Sequence, residues 1–408
     1  MKNWEKKKLG DVCGFVRGPF GGSLKKNIFK PEGYAVYEQQ HAIYDQFDDI
    51  RYFIDEKKFN EMKRFELNSG DLIMSCSGTM GKIAIVPKNI KKGIINQALL
   101  KLSPSKKVSA VFLKLWMQSE SFQDSLKEYS GGAAIQNVAS VAILKQIEIP
   151  LPPLPEQQRI VAILDEAFAA IAKAKANAEQ NLKNAKELFE SYLKTAFENK
   201  VHGEKFETLD SLCELIVDCE HKTAPTQETG YPSIRTPNIG KGELILENVN
   251  RVSYETYIQW TRRAIPAAGD LILAREAPAG NIAVIPENIE VCLGQRTVLL
   301  RPKKERLISK YLAYLILSKE VQEILLSHST GATVQHINMK DIRAFKIYNL
   351  PDLKEQISIV QKLDALKSET KKLETVYQKK IDDLEELKKS ILQKAFAREL
   401  KTVKVLAI

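Results

Sequence analysis

The segment IPLPPLPEQQRIV (residues 149–161) returns 199 positions later as YNLPDLKEQISIV (residues 348–360). Further towards the N-terminus, SGDLI at residues 69–73 returns at the same distance as AGDLI at residues 268–272. A repeat of this length far exceeds the roughly 20–50-residue periods of solenoid proteins. The sequence therefore predicts two copies of one domain, each leading into the segment quoted first.

Each quoted segment leads into a long heptad pattern. We predict helices over residues 155–200 and 353–400, because apolar residues there recur at alternating steps of four and three. Pro155 can occupy the first turn of the first helix, where a missing N–H costs nothing. The chain between the helices begins and ends near one compact body, so we expect the two helices to pair antiparallel.

The rest of the sequence predicts two modules with the same order of elements. Strand-like runs at residues 94–102 and 292–300 precede amphipathic helices at residues 110–129 and 309–327. The predicted fold class is α+β: two pseudo-symmetric mixed α/β modules joined by two long helices that form an antiparallel coiled coil. The predicted divisions are the first module (residues 1–152), the central helix (153–202), the second module (203–350) and the C-terminal helix (351–408).

Composition excludes several classes of protein. The 408 residues, 44% hydrophobic and 27% charged, suit a soluble protein of two or three domains. No stretch approaches the roughly 18 apolar residues of a membrane span, and the N-terminus has no hydrophobic signal segment, so we expect a cytoplasmic location. The five cysteines form no C-x-x-C pair and the five histidines have no ligand spacing. We therefore expect no metal site, and cysteines that are reduced and half-buried.

The net charge of +10 suits a polyanionic partner, but it is unevenly distributed. Residues 1–154 hold 23 Lys and Arg against 16 Asp and Glu, whereas residues 201–352 hold 18 against 19. If the second module binds DNA, it must do so through a local basic face.

No motif predicts a catalytic centre. SGTMGK at residues 77–82 resembles a phosphate-binding loop but has Ile83 where serine or threonine should follow the lysine. A strand–turn–strand hairpin explains it better. Neither a G-x-G-x-x-G unit nor the N-P-P-aromatic signature of adenine methyltransferases is present. The sequence therefore predicts a non-catalytic protein.

Polar loops are the remaining candidates for a binding site. In the first module the candidate DNA-binding residues are Arg17, Lys25, Lys26, Gln39, Gln40, His41, Ser77, Thr79 and Lys82. In the second they are His221, Lys222, Thr223, Arg235, Asn238, Lys241, Arg275 and Asn281. Amide and guanidinium groups read bases in the major groove, while lysines mainly neutralise phosphates. Different polar loops on one repeated framework favour two readers of different short sequences, although surface loops also drift freely after duplication.

These residues and motifs together resemble the specificity subunit of type I restriction–modification enzymes (the HsdS family). The resemblance covers essentially the whole chain. It rests on GPFGGSLKK (residues 18–26), the segment at 218–242, and above all PLPPLPEQQRIVAILD (150–165) with its repeat NLPDLKEQISIVQKLD (349–364).

The resemblance implies that each module is a target-recognition domain that reads one half of a bipartite DNA site. It implies that the helices set the half-site spacing and dock two modification (methyltransferase) subunits, to which restriction (nuclease and translocase) subunits are added. The assembled complex would have adenine-N6 DNA methyltransferase and ATP-dependent endonuclease activity, in defence against foreign DNA. S-adenosylmethionine, ATP and Mg²⁺ would be bound by the partners and no cofactor by this chain.

Two alternatives come from other classes. One is a coiled-coil scaffold that binds protein but does not read DNA; the other is a self-sufficient methyltransferase, which the missing motifs disfavour. Five apolar residues off the heptad seam could await a partner protein or pack on the modules: Leu188, Leu193, Phe197, Leu392 and Phe396.

Overall fold

The computed structural model describes residues 4–128, 140–198, 200–276, 278–327 and 336–400. The chain divides into two compact units. The first comprises Met1–Ala178 and Lys379–Ile408, and the second Glu179–Gln378. Each unit therefore contains one module with one part of each long helix. The four divisions expected from the sequence stay a prediction.

The first unit holds a four-stranded sheet in the order β2-β8-β5-β6, a three-stranded sheet in the order β4-β3-β7, and the pair β1-β9. Its strands are β1 (Glu5–Lys8), β2 (Cys13–Arg17), β3 (Tyr34–Tyr37), β4 (Phe53–Ile54), β5 (Leu72–Ser75), β6 (Ile83–Ile85), β7 (Gly93–Ile95), β8 (Leu99–Pro104) and β9 (Glu148–Leu151). Its helices are α1 (Leu9–Val12), α2 (Gln39–Ile43), α3 (Glu56–Glu61), α4 (Ala110–Gln118), α5 (Glu120–Glu128), α6 (Val141–Leu144) and the first part of α7 (Leu154–Phe197).

The second unit repeats this plan with a five-stranded sheet in the order β11-β18-β15-β16-β13, a three-stranded sheet in the order β14-β12-β17, and the pair β10-β19. Its strands are β10 (Phe206–Thr208), β11 (Cys213–Asp218), β12 (Tyr231–Ile234), β13 (Gly242–Glu243), β14 (Arg251–Val252), β15 (Leu271–Ala274), β16 (Ile282–Val284), β17 (Cys292–Leu293), β18 (Thr297–Pro302) and β19 (Lys346–Tyr348). Its helices are α8 (Leu209–Leu212), α9 (Tyr254–Thr261), α10 (Ser309–Leu317), α11 (Lys319–Ser327), α12 (Met339–Ala344) and part of α13 (Leu353–Phe396).

The two modules share their pairing pattern. The β5–β6 hairpin pairs antiparallel with β8, as β15–β16 does with β18. The β3–β7 pair is parallel, as is β12–β17. The prediction of two pseudo-symmetric mixed α/β modules is confirmed.

Two kinds of predicted element are interrupted. The single strands expected at residues 94–102 and 292–300 each break into two, because a turn intervenes; in the first module the Asn96 side chain accepts the Ala98 N–H at 3.0 Å. The helices expected at residues 110–129 and 309–327 break at Ser119 and Ser318, whose backbones are extended. Tyr129 lies outside the described residues.

The long helices α7 and α13 each contain 44 residues and end slightly before the predicted limits. Their segments run antiparallel within each unit. In the first unit, Lys175 bonds to Glu385 and Lys388 lies over the ring of Phe168. In the second unit, Leu193 of α7 shares a core with Val360 and Leu363 of α13. None of the helices in the described parts of the chain combines the length and apolar character that crossing a membrane requires.

Four of the five apolar residues off the seam pack on the modules. Leu193 and Phe197 are buried in the core of the second unit, while Leu392 and Phe396 pack on that of the first. Leu188 is 50% exposed. Packing on the modules therefore explains the set, with Leu188 as the exception.

A buried glutamine fastens the start of each long helix to its module. The Gln157 side chain is fully buried; it accepts the Ser109 N–H at 2.8 Å and donates to the carbonyls of Lys107 and Pro152 at 3.0 and 2.8 Å. Gln356 makes the same three bonds, to the Ile308 N–H and the carbonyls of Arg306 and Pro351, all at 2.9 Å. This explains why Glu-Gln recurs in both quoted segments.

All five cysteines are free of disulfides and buried, rather than half-buried as expected. Burial raises the pKa of the Cys13 and Cys213 thiols to about 12, and the nearby Asp71 and Asp210 carboxylates respectively add to that effect. These thiols serve as small core residues.

Candidate nucleic-acid interface

The loops that carry the candidate residues of the first module meet at one edge of its sheets. The side-chain amide of Gln39, at the start of α2, donates to the carbonyl of Ser77 and lies 3.5 Å from that of Thr79. Arg17, at the end of β2, lies near the Cys76 thiol just before that hairpin loop, and its charge partly offsets the burial that raises the pKa of this thiol. We call the loops at residues 17–26, 38–41 and 77–82 the first loop edge.

The chain turns closely at this edge because of Gly18. A Cβ atom at this position would lie 1.8 Å from the carbonyl oxygen of Asn96, so only glycine fits. Beyond the turn, Lys25 and Lys26 are exposed, as is Lys82 in the hairpin loop. These three cations are available to phosphate groups.

His41 is a correction to the predicted set. Its ring is fully buried against Tyr37 and Phe47. Both ring nitrogens have partners inside the module: Nδ1 accepts the Glu38 N–H at 2.9 Å, and Nε2 lies 3.0 Å from the Asp49 carbonyl. A buried ring with both nitrogens engaged holds the loop in shape and leaves no atom for DNA. The neighbouring Gln40 donates to the same Asp49 carbonyl at 3.1 Å.

The second module assembles its corresponding loops around Asp218, at the end of β11. The Asp218 carboxylate accepts a bond from Arg275 at 2.6 Å and lies 3.0 Å from His221 Nε2. Gln295 donates to the His221 carbonyl at 3.4 Å, and Thr223, Arg235 and Gln295 line one small cleft. We call the loops at residues 218–223, 235–238, 275–281 and 294–296 the second loop edge.

Arg275 is the second correction, since its side chain is only 8% exposed. Its guanidinium donates to the Ile337 carbonyl, to Asp218 and to His336 Nε2, at 2.9, 2.6 and 2.8 Å. Every nitrogen of the fork is therefore engaged inside the module. Arg275 joins segments of the loop edge and does not reach its surface.

The other candidates of the second module differ in exposure. Lys222, Thr223 and Arg235 are exposed. Asn238 donates to the Ile245 carbonyl at 3.2 Å and Asn281 to the Ile239 carbonyl at 2.9 Å, so both amides stabilise loops. Lys241 lies near α7, with its ammonium 3.7 Å from Glu190. It is not brought together with the other candidates.

Arginines offset the carboxylates of the second loop edge. Asp218 is paired with Arg275, while Glu220 lies 3.3 and 3.4 Å from Arg262 and Arg263. Arg296 pairs with Glu276 at 2.8 Å. With Lys222 and Arg235 added, six cations stand against three carboxylates. Arg275 is buried, but the five other cations are exposed and still outnumber the carboxylates. DNA binding by a module of net charge −1 would require such a local excess of positive charge.

Arg262, Arg263 and Arg296 were missed in the sequence because they lie outside the loops with obvious polar runs. Of the three, only Arg296 is marked in the sequence by a difference between the two copies, because the matching position in the first copy is Ala98.

Asp218, Cys219 and His221 form the group of potential metal ligands found among the described residues, with ligand atoms within 4.8 Å of one another. The Asp218 carboxylate is already ion-paired with the Arg275 guanidinium, and Cys219 Sγ accepts the backbone N–H of Arg296 at 3.2 Å. A fixed cation in contact with the carboxylate opposes a metal ion there. We therefore assign these groups to loop structure.

The chain matches the family described as "Type I restriction modification DNA specificity domain" twice, over residues 1–183 and 204–383. It therefore belongs to this family. It is similar to the type I restriction enzyme MjaVIII specificity subunit of Methanocaldococcus jannaschii, with 26% identity over 413 residues, or 96% of this chain and 91% of the relative.

Two solved structures have the same fold. A chain described under "Structural basis underlying complex assembly and conformational transition of the type I R-M system" gives a TM-score of 0.76 at 21% identity, over 98% of each chain. The HsdS subunit from Thermoanaerobacter tengcongensis gives 0.62 at 19% identity, over 98% of this chain and 97% of that one. The predicted family and fold are confirmed, and the scaffold alternative is not favoured.

Proposed function

We propose that this chain is the DNA-specificity subunit of a type I restriction–modification complex, in which each module reads one half of a bipartite site. One observation carries the proposal: the same framework brings polar loops together in both modules, but with different side chains. The first loop edge combines exposed Lys25 with Gln39, whose amide holds the Ser77 loop, and the second has exposed Arg235 and Lys222. Two such edges suit two different short sequences.

Recognition follows from differential binding, with no chemistry in this chain. Base-edge hydrogen bonds contribute about 1–3 kcal/mol of discrimination for each good bidentate pair. The exposed lysines neutralise phosphates without reading sequence, so they add salt-dependent affinity. The chain is a specificity subunit and the reaction belongs to its partners.

The helices fix the distance between the half-sites. At about 1.5 Å per residue a 44-residue helix is roughly 66 Å long. Because Gln157 and Gln356 fasten each helix start to its module, the helix orientation follows that of the module. The length of α7 therefore sets the spacer between the half-sites.

Two methyltransferase subunits dock on the helices. A groove of about 680 Å³ in the second unit supports this: Phe189, Leu193 and Leu317 are among its apolar lining, beside Lys186 and Glu374. Apolar surface with charges around it is typical of protein-binding sites. The partners supply S-adenosylmethionine-dependent methylation of adenine, and restriction subunits supply ATP- and Mg²⁺-dependent cleavage.

Single-molecule sequencing of modified adenines in cells with and without the gene tests the proposal. We expect one bipartite motif whose methylation disappears when the gene is deleted. An unchanged methylation pattern contradicts the proposal. So does a motif without a spacer, because two separate readers joined by long helices are expected to bind half-sites that lie apart.

A further inference from the structure

The turn between β17 and β18 holds an arginine in an unusual backbone conformation. Arg296 has a φ of +67°, and His221 in the adjacent loop has +47°. Left-handed backbone is uncommon for residues other than glycine, asparagine, aspartate and histidine, and for an arginine it costs on the order of 1–3 kcal/mol. Such strain clusters at functional sites, where the side chain is needed in that place.

The contacts of Arg296 place it on the second loop edge. Its backbone N–H donates to Cys219 Sγ at 3.2 Å, and the preceding Gln295 donates to the His221 carbonyl at 3.4 Å. Its Nε lies 2.8 Å from Glu276, while the side chain is 58% exposed. The guanidinium is therefore held at one end and open to solvent.

A relay of side chains supports this arrangement from inside the module. Glu276 accepts a bond from His336 Nδ1 at 2.6 Å through its other oxygen. His336 Nε2 accepts from Arg275 at 2.8 Å, and Arg275 in turn bonds to Asp218 at 2.6 Å. An exposed arginine is thus linked to a buried one through a carboxylate and an imidazole, each partner holding the next.

The first module has the same turn without the arginine. Gln97 matches Gln295, but the following position is Ala98, whose N–H is bonded to the Asn96 side chain at 3.0 Å. Position 76, which matches Arg275, is a cysteine. The relay thus distinguishes the second module from the first, on a framework that is otherwise shared.

We propose that Arg296 is a specificity-determining residue that contacts one base pair of the second half-site, and that Arg275 positions it through His336 and Glu276. A planar guanidinium presents two parallel donors, which match the O6 and N7 acceptors of guanine. The ligand is thus a guanine edge in the major groove. This inference rests on the proposed function and names the contact within it.

The test uses the full chain assembled with its methyltransferase subunits and duplexes that carry the wild-type motif. In one series, each base pair of the second half-site is changed in turn while the first half-site is kept. We expect Arg296→Ala to weaken binding of the wild-type duplex about 10- to 100-fold and to abolish the preference at one G·C pair. Arg296→Lys should restore much of the affinity at low salt and part of the base preference, because a lysine ammonium can also donate to guanine O6 and N7. Glu276→Gln should give a smaller loss at the same base pair.

Arg306→Ala is the matched control, because Arg306 is similarly exposed at 53% and is ion-paired to Glu207 on the same module. It should leave recognition unchanged. An unchanged base preference in Arg296→Ala overturns the base contact, as does wild-type binding by that variant or an equal loss at both half-sites. If the wild-type complex itself lacks sequence preference, the proposed function fails instead.

Discussion

The two loop edges hold their hairpin loops in place with different chemical groups. In the first module, Gln39 ties the hairpin loop through backbone carbonyls of Ser77 and Thr79. In the second, Arg275 ties the equivalent loop through the charged group of Asp218. The sheets beneath share their pairings apart from the added β13 of the second module, so the loops vary on a common framework. A module of this kind can change its target sequence without losing its fold.

The same comparison explains the uneven charge. The first module has enough surface lysines to be basic as a whole, whereas the second has nearly equal numbers of acids and bases. In the second, arginines neutralise the three carboxylates of the loop edge and leave an excess of cations there. Local pairing, rather than net charge, therefore decides whether a face suits DNA.

The largest difference between the modules is expected at the position shared by Arg275 and Cys76. Arg275→Met should lower the free energy of unfolding by about 4 kcal/mol, because it leaves the Asp218 carboxylate and His336 without their buried partner. Cys76→Ala should cost only about 1 kcal/mol. Urea titrations followed by tryptophan fluorescence measure both, and Trp260 is the tryptophan of the second module. Equal losses would contradict the distinction.

The next largest expected effect is a loss of stability on removing the buried glutamine of either module, and it should be equal in both. Gln157→Ala and Gln356→Ala should each lower the free energy of unfolding by about 2–3 kcal/mol, since each leaves buried backbone groups without partners. Gln158→Ala and Gln361→Ala are matched controls, because these neighbours are exposed. Thermal unfolding of the four variants provides the comparison. A loss in only one copy would show that the helix attachments differ.

A smaller effect on DNA binding should distinguish the first half-site from the second. Gln39→Ala should weaken binding about tenfold and alter preference at the first half-site alone, because it removes the amide that holds the Ser77 loop in the first loop edge. Lys25→Ala should weaken all sequences alike and reduce the salt dependence, as expected for a phosphate contact. Binding titrations at several salt concentrations distinguish the two variants. If Gln39→Ala weakens both half-sites equally, the assignment of one half-site to each module is wrong.

The smallest expected difference is between Cys13 and Cys213. Burial raises the pKa of both thiols to about 12, so at pH 8 only about one in ten thousand is ionised and neither reacts readily. Because the folded-state pKa of each thiol is raised, its contribution to stability is fully present below the unfolded thiol pKa near 8.5. This contribution is lost as the pH rises from there through the folded-state pKa of about 12. Labelling with a disulfide reagent should be equally slow at both thiols until the chain unfolds. Rapid labelling of one in the native protein would reveal a local opening.

Most of the fold could be predicted from the sequence, because its signals are local. The heptad steps of α7 and α13 and the repeated strand runs depend on residues close together in the chain. The interruptions at Ser119 and Asn96 could not be predicted in this way. They depend on a helix cap and a turn bond of single residues, which a pattern averaged over many positions does not show.

The candidate site was predicted only in outline. The assignment of these loops to DNA binding stays a prediction, and the sequence did not show which of their residues are exposed. His41 and Arg275 proved buried, and Lys241 lies near α7. Arg296 was missed because its one signal is a single difference from Ala98 between the two copies, which forms no pattern.

By itself, the sequence determined the duplication, the two long helices and the family, since repeats and periodicity are properties of the chain's order. Only the tertiary structure decided which polar residues face outward. The reason is physical: the bonds that hold Arg275 and His336 join residues 61 positions apart. A polar side chain is buried or exposed according to whether folding brings such a partner to it, and no local pattern records that partner.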